Sequence, residues 1–171
     1  MRKYFLIGCL LLCSMGSSYL YAEVEIGSRA LDFSLPKVGS SKESITMGSY
    51  KQESILLNFW ASWCKGCKKE MPFLHKLAKD NEKKLSVIAV NIDNKETKAQ
   101  NYIDKFTSKM GETSKIKFVY DKEKSLPKAY KFEAVPCSLL IKNGTIIKYY
   151  VGSFDDESEQ VVLKDIKEAL K

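Results

Sequence analysis

The sequence predicts one α/β domain, with a central mixed β-sheet flanked by helices and a β extension at its N-terminal side. Two patterns support this prediction. Two short apolar runs, residues 54–60 and 85–92, enclose an amphipathic helical pattern, which is typical of a βαβ unit with parallel strands. A hairpin pattern and a final helical pattern fill residues 137–171. The length of 171 residues suits one domain rather than two.

The N-terminal extension is predicted from alternating apolar residues between positions 26 and 35. Leu31, Phe33 and Leu35 alternate with polar neighbours, as expected for an edge strand with one buried face. Pro36 is expected to end this strand, because proline interrupts the hydrogen bonding of a sheet.

The βαβ unit begins with the run SILLNFW at residues 54–60, which is apolar enough for a strand buried on both faces. Apolar residues then recur at steps of three and four from Cys67 to Ala78, which predicts a helix with one apolar stripe. The run LSVIAVNI at residues 85–92 predicts the second buried strand, and residues 94–110 predict a polar helix.

The second half of the chain is predicted to add three strands and two helices. A third strand covers residues 116–120, and a short helix follows at residues 125–132. Residues 137–152 contain two β-rich runs joined by an Asn-Gly dipeptide, which favours a type I′ hairpin turn. Residues 155–171 are predicted to close the chain as an amphipathic helix.

Charged residues are spread along the whole chain. They make up 29% of it with a formal net charge of +7, and the lysines are interleaved with acidic residues. This mixture is typical of a solvated surface and argues against a nucleic-acid footprint. We therefore expect no nucleic-acid partner. We also expect the protein to act as a monomer.

The first 22 residues read as an export signal. Arg2 and Lys3 precede an apolar run, and small residues lead to a cleavage site after Ala22. The same segment is an alternative membrane anchor if it is not cleaved. We therefore expect residues 1–22 to be a signal peptide or an uncleaved anchor, residues 23–171 to be the domain, and the location to be periplasmic or otherwise extracytoplasmic.

The number of cysteines indicates a reactive thiol. Of the five in the sequence, Cys64, Cys67 and Cys137 remain after residue 22. An odd number in an exported protein argues against a purely structural disulfide framework.

Cys64 and Cys67 lie where a buried strand gives way to a helix. Cys64 is then at the helix N-terminus, where unpaired N–H groups and the helix dipole stabilise a thiolate. Cys67 lies one turn further on, so it can displace whatever Cys64 has bonded and close a disulfide with it. We predict a nucleophilic Cys64 and a resolving Cys67.

Metal and haem sites fit this motif less well. A structural zinc site needs a second cysteine pair or two histidines, and the sequence offers Cys137 and the single His75. A covalent haem site needs histidine at position 68, which is Lys68. His75 lies eight residues beyond Cys67, too far to join the thiols, and we expect it to be at the surface or partly packed.

The block NFWASWCKGCKKEMPFL resembles the TlpA/ResA branch of the thioredoxin fold, a group of exported thiol-disulfide oxidoreductases. The segments LDFSLP, AVNID and KAYKFEAVPCSLLIKNGTI follow in the order of that family. The resemblance implies a thioredoxin fold, a redox-active Cys64–Cys67 pair and Trp63 as its aromatic neighbour. It also implies exchange with protein thiols or disulfides, more in the direction of reduction, as in cytochrome c maturation. A membrane thiol-disulfide electron donor would recharge the pair, and no cofactor is implied.

Glu70, Val135 and Pro136 gain their expected roles from this resemblance. Glu70 lies three residues past Cys67 on the same helix face; the pattern alone favours a solvated glutamate, whereas the family places a proton-transferring acid there. A cis peptide bond is implied before Pro136, facing the two cysteines. The backbone of Val135 is then expected to pair with an extended substrate segment.

The sequence departs from the family at two places. Lys65-Gly66 lacks the proline common between the family's cysteines, which leaves the redox potential open. Cys137 stands where relatives usually carry threonine or serine. From its residue type it is more often a small buried apolar residue than a reactive thiol, although it could tune the site if it faced Cys64.

Two other functions of this fold compete with disulfide exchange. The alternative is a copper-handling protein that binds Cu(I) through Cys64, Cys67 and Cys137. A thiol peroxidase is disfavoured because Trp60 and Ala61 stand where its proline and hydroxyl residue would be.

Overall fold

The structure is a computed structural model that describes residues 24–50 and 53–171. The predicted leader at residues 1–22 lies outside the described residues. Within the described ranges, none of the helices combines the length and the apolar content needed to span a bilayer.

The N-terminal extension is a hairpin rather than the one strand predicted. Strand β1 covers Ser34–Lys37, and β2 covers Ser40–Thr46. Gly39 between them has a φ of 81°, in the left-handed region that glycine adopts without strain. The prediction that Pro36 ends the strand is wrong. Pro36 lies within β1, beside a register shift on the outer part of the sheet, where a missing N–H is tolerated.

The predicted βαβ unit and its extension are confirmed. Strand β3 covers Ser54–Trp60, helix α1 Lys65–Asp80, strand β4 Leu85–Asn91, helix α2 Glu96–Met110 and strand β5 Lys117–Tyr120. Strands β3 and β4 are parallel, as are β4 and β5. All residues of β3 and β4 are buried, which explains why both strands read as continuous apolar runs.

The second half also follows the predicted order. Helix α3 covers Ser125–Tyr130, strand β6 Cys137–Lys142, strand β7 Thr145–Val151 and helix α4 Asp156–Ala169. The turn between β6 and β7 has positive φ at both of its central residues, 51° and 74°, as a type I′ turn requires.

The strands form one mixed sheet in the order β2-β1-β5-β4-β3-β6-β7. Strand β3 is at its centre, with β4 parallel on one side and β6 antiparallel on the other. The predicted thioredoxin fold, a mixed sheet between helices with an N-terminal β extension, is therefore confirmed.

A separate apolar core covers each face of the sheet. On one face, α1, α2 and α4 contribute Leu74, Phe106 and Val162 to the first core. On the other face, α3 and the N-terminal segment contribute residues such as Leu126 and Met47 to the second core.

The chain before β1 runs along the outer edge of β7. Gly27 N–H donates to Ile146 O at 2.8 Å, and Ile146 N–H donates back to Ser28 O at 2.9 Å. Arg29 Nη1 donates to the carbonyl of Asn143 in the β6–β7 turn. This contact is at the end of the sheet where β3 starts, because β6 runs antiparallel to β3 and ends beside Ser54.

Candidate active site

Both cysteines of the CxxC motif lie at the carboxyl end of the central strand. Cys64 is the N-cap of α1, and its Sγ accepts a hydrogen bond from the N–H of Cys67 at 3.0 Å. The two residues are joined by a disulfide, with their Cα atoms 5.3 Å apart. The structure therefore places the sulfur of Cys64 among the free N–H groups of the helix, where a thiolate is stabilised.

Burial separates the two sulfurs into an outer and an inner member. Cys64 is 7% exposed, whereas Cys67 is fully buried. Lys65, Lys68 and Lys69 around them are exposed, so their charges are screened by solvent. An incoming sulfur can reach Cys64 first, which fits the predicted division into a nucleophile and a resolving thiol.

The loop before β6 closes over Cys64. The Val135–Pro136 peptide bond is cis, as predicted. The carbonyl oxygen of Val135 is 3.5 Å from Cys64 Sγ, a distance within reach of a thiol hydrogen bond. Gly152, beyond β7, donates its N–H to Pro136 O at 3.0 Å and ties this loop to the end of the hairpin.

Glu70 is fully buried beneath the two cysteines. Its Oε1 accepts from Asn58 Nδ2 at 2.8 Å, and its Oε2 accepts from the N–H of Phe154 at 3.2 Å. Burial raises the pKa of Glu70 to about 7, although both hydrogen bonds oppose the rise by favouring the carboxylate. The sequence pattern alone favoured a solvated glutamate, and that reading is wrong. A group with this pKa exchanges protons near neutral pH.

Two large apolar side chains are exposed beside the motif. Trp63, directly before Cys64, is 63% exposed. Val151, at the end of β7 and opposite Cys137 in the strand register, is 71% exposed. Both lie near the cysteine motif, because Trp63 precedes Cys64 and the glycine after Val151 is hydrogen-bonded to the buried Pro136. Val151 was not among the predicted site residues.

A buried carboxylate fixes the loop that carries Trp63. Asp93, just after β4, accepts from the N–H and the hydroxyl of Ser62, both at 3.0 Å. Asn91 Nδ2 donates to the same carboxylate at 2.9 Å, and Tyr120 donates its hydroxyl to the Asp93 carbonyl. The carboxyl ends of three neighbouring parallel strands are thereby tied together under the active-site loop.

Gly66 leaves little room between the cysteines. A Cβ atom placed there would come within 3.2 Å of Ser153 and 3.5 Å of Pro136 Cδ. The departure from the family at this position therefore lets the loop at Ser153 lie close to the start of α1.

Cys137 belongs to the opposite face of the sheet. It is 1% exposed and packs in the second core, whereas Cys64 and Cys67 belong to the first. Burial, and then the charge of Glu70, raise the pKa of its thiol to about 12. The expectation of a small buried apolar residue is confirmed. Among the described residues no group of three or more His, Cys, Asp or Glu side chains is placed to hold a metal ion, so the copper alternative lacks a ligand set.

His75 is more buried than expected. The prediction of a surface or partly packed residue is wrong, because His75 is only 2% exposed. Its ring contacts Ser114 Oγ at 3.2 Å and Glu112 Oε1 at 3.0 Å, and it packs edge-on against Phe106. It thus joins α1 to the loop after α2, and it takes no part in the cysteine site.

Sequence reasoning missed the residues that hold Glu70 and the active-site loop. Asn58 had a visible signal, because it is a polar residue within an apolar strand run. Ser138, whose hydroxyl accepts from Asn58 Nδ2 at 3.0 Å, and Asp93 had weaker signals. The N–H of Phe154 had none, since a backbone contact depends on how the chain folds back.

Comparisons with known proteins agree with this geometry. The model of the Redoxin family matches residues 25–167. The chain is 32% identical to a thiol-disulfide oxidoreductase ResA from Geobacillus thermodenitrificans, over 98% of this chain and 95% of the relative. It is 34% identical to the thioredoxin-like protein YneN from Bacillus subtilis, over 90% of this chain and 92% of that protein.

A solved structure shows the same fold. A crystal structure from Chlorobium tepidum, described as a thiol:disulfide interchange protein DsbE, superposes with a TM-score of 0.75 at 26% identity, covering 87% of this chain and 100% of the other. Fold, cysteine geometry and sequence relatives lead to one conclusion. The chain belongs to the Redoxin family, among the ResA-like thiol-disulfide oxidoreductases of the thioredoxin fold.

Proposed function

We propose that the protein is an exported reductant of protein disulfides, in which Cys64 attacks the substrate and Cys67 resolves the mixed disulfide. The observation that carries this proposal is the unequal setting of the two sulfurs. Cys64 keeps 7% of its surface exposed at the N-terminus of α1, whereas Cys67 is fully buried one turn away on the helix that also carries Glu70.

The reaction starts from the reduced pair. The thiolate of Cys64 attacks one sulfur of the substrate disulfide, and the other substrate sulfur leaves as a thiolate that takes up a proton. A mixed disulfide between Cys64 and the substrate results. Cys67 then loses its proton and attacks Cys64 Sγ, which releases the second substrate thiol. Two electrons and two protons pass to the substrate, and the enzyme is left with its Cys64–Cys67 disulfide.

Glu70 is proposed to exchange the proton of Cys67. Cys67 is too buried for direct proton exchange with solvent, and Glu70 is three residues away on the same face of α1. A carboxyl with a pKa of about 7 can accept that proton as the thiol attacks and return it when the disulfide is reduced again.

Trp63, Val135 and Pro136 are proposed to bind the substrate. Trp63 offers an exposed apolar face, and the loop at Val135 and Pro136 lies over Cys64. An extended substrate segment can lie along this loop, where backbone hydrogen bonds would hold its disulfide at the nucleophile.

The cellular setting is proposed from the sequence. The leader at residues 1–22 supports export to the periplasm or another extracytoplasmic compartment, either released or anchored. A membrane thiol-disulfide electron donor would return the pair to its reduced form, and the TlpA/ResA resemblance favours clients such as those of cytochrome c maturation. The protein is proposed to act as a monomer.

The test is substrate trapping with Cys67→Ser. This variant keeps the nucleophile but cannot resolve the mixed disulfide, so covalent adducts that dithiothreitol releases should accumulate in extracts of the cell envelope. Cys137→Ser is the matched control and should trap nothing. An absence of adducts with Cys67→Ser contradicts the proposal.

The direction of exchange is tested by the equilibrium potential. A reductant should have a value near that of thioredoxin, about −270 mV, whereas a value near −120 mV is typical of an oxidant and contradicts this part of the proposal.

A further inference from the structure

Asn58 is a polar residue at the middle of β3, a strand buried along its whole length. Its Nδ2 donates to Glu70 Oε1 at 2.8 Å and to Ser138 Oγ at 3.0 Å. Ser138 lies directly opposite on β6. None of the three side chains is more than 1% exposed, so water does not compete for these contacts.

The other end of the same amide has no partner among the described residues. Asn58 Oδ1 is buried and accepts no hydrogen bond there. Leaving a buried acceptor unpaired is costly, and it is uncommon in folded proteins. An amide is nearly two-fold symmetric about its last torsion angle, so a half-turn would exchange the places of Nδ2 and Oδ1.

The two orientations of the amide match the two protonation states of Glu70. An ionised carboxylate only accepts hydrogen bonds, and Nδ2 serves it in the present orientation. A protonated carboxyl needs an acceptor for its O–H, and after a half-turn Oδ1 of Asn58 would stand at that place. The hydroxyl of Ser138 can accept from Nδ2 or donate to Oδ1, so it keeps a hydrogen bond to the amide in either orientation.

We propose that Asn58 is a positioning residue that sets the protonation of Glu70, through an amide that turns over as the carboxyl gains or loses its proton. This inference deepens the proposed function, because it rests on Glu70 serving as the proton carrier of Cys67. A leucine has the same branched shape but could serve neither protonation state, and an aspartate would add a second acidic group.

Few other titratable groups face Glu70. Cys67 lies one turn earlier on α1, and the thiol of Cys137 on β6 is near enough for the charge of Glu70 to raise its pKa. On the α4 side, Asp155 follows Phe154 but is exposed, and its pKa is lowered mainly by hydrogen bonds with Ser158. The contact of Asn58 is thus the side-chain contact that favours the ionised form of Glu70.

The test is a direct titration of the Glu70 carboxyl. The ¹³C chemical shift of this group would be followed from pH 4 to 10 in the folded wild type, Asn58→Leu and Ser138→Ala. Loss of the donor destabilises the carboxylate, so the midpoint should rise by about one pH unit in Asn58→Leu, the size expected for one hydrogen bond to a charged group. Ser138→Ala keeps that donor and should shift the midpoint by less than half as much. An unchanged midpoint in folded Asn58→Leu overturns the proposal.

A second variant covers the case in which Asn58→Leu does not fold. Asn58→Asp keeps the shape of the side chain and places two carboxyls in contact, so the pair should hold one proton well above the midpoint of wild-type Glu70. A Glu70 midpoint that Asn58→Asp leaves unmoved overturns the proposal.

The same variants separate this inference from the proposed function. If Glu70 carries the proton, Asn58→Leu should move the pH profile of insulin reduction by the same amount, and it should have no such effect in a Glu70→Gln background. If the carboxyl titration shifts while Glu70→Gln leaves the pH profile of the wild type unchanged, the positioning role of Asn58 stands and the proton-carrier role of Glu70 fails.

Discussion

Glu70 is fully buried and has two hydrogen-bond donors among the described residues, and its effect on stability follows from that combination. Asn58 Nδ2 and the N–H of Phe154 offset part of the cost of burying a carboxylate, but the pKa still rises to about 7. The folded protein is therefore more stable when the Glu70 carboxyl is protonated. A buried carboxyl of this kind weakens the fold at neutral pH.

Glu70→Gln should make the protein more resistant to unfolding at neutral pH. A raised pKa means that the stability contributed by the protonated form is fully present below pH 4.5 and is lost as the pH rises through about 7. The gain of the variant over the wild type should therefore be small near pH 4.5 and grow by about 3 kcal/mol above pH 7, given the shift from 4.5 to about 7. Urea unfolding at several pH values measures it.

Glu82→Gln is the matched control for this experiment. Glu82 is exposed and bound to Lys115, and its pKa is lowered mainly by that hydrogen bond. Its removal should cost a little stability at neutral pH instead of adding to it. A gain for Glu70→Gln that does not change between pH 4.5 and pH 8 would show that Glu70 is not a buried acid of raised pKa.

The helices and strands that bury an apolar face are the ones that the sequence pattern predicts correctly. The apolar runs of β3 and β4 and the stripe of α1 arise from burial, so their pattern is visible without a structure. Strand β2 was missed because its seven residues, SSKESIT, are mostly polar and exposed. The motif and the resemblance predicted the cysteines, Glu70 and the cis bond before Pro136. The donors around Glu70 were not predicted, because they come from segments far apart in the sequence.

Asp93 should be needed for both stability and exchange, because it joins β4 to the active-site loop. Asp93→Ala removes hydrogen bonds from the N–H and the hydroxyl of Ser62 and from Asn91. We expect a loss of about 2–4 kcal/mol in the free energy of unfolding. We also expect a lower kcat/KM for insulin reduction, because Trp63 and Cys64 follow directly on the freed loop.

Asp121→Ala is the corresponding control on the neighbouring strand. Asp121 is also buried just after a strand, where it accepts from the N–H and the hydroxyl of Ser125 and from the N–H of Leu126 at the start of α3. It should cost similar stability with a smaller effect on exchange at a temperature where both variants are folded. Equal losses of activity in the two variants would argue against a specific role for Asp93.

At the scale of the molecule, the large exposed apolar side chains of the described residues differ in their distance from the cysteines. Trp63 precedes Cys64 and Val151 precedes the glycine bound to Pro136, whereas Ile26, which is 55% exposed, lies where the chain meets the start of β7. Scattered apolar residues are ordinary on protein surfaces, but a group of them around a reactive sulfur suits the binding of a protein substrate.

Trp63→Ala and Val151→Ser should each raise KM for a protein disulfide several-fold. A small disulfide such as oxidised glutathione does not extend over this surface, so its rate should change little. Ile26→Ser serves as the control, with both substrates unaffected. Equal effects on the protein and the small disulfide would point to a disturbed cysteine pair rather than a lost contact surface.

The backbone contacts of Gly27 and Ser28 with Ile146 also determine at which end of the sheet the N-terminal segment joins the domain. They place the beginning of the domain at the pole where β3 starts, and the seven-residue strand carries the chain about 20 Å to the pole that bears Cys64. If the proposed leader is retained in the bilayer as an anchor, it joins the domain at the pole opposite Cys64. Soluble substrates, and a donor domain that lies outside the bilayer, could then reach Cys64 without a rotation of the anchored domain.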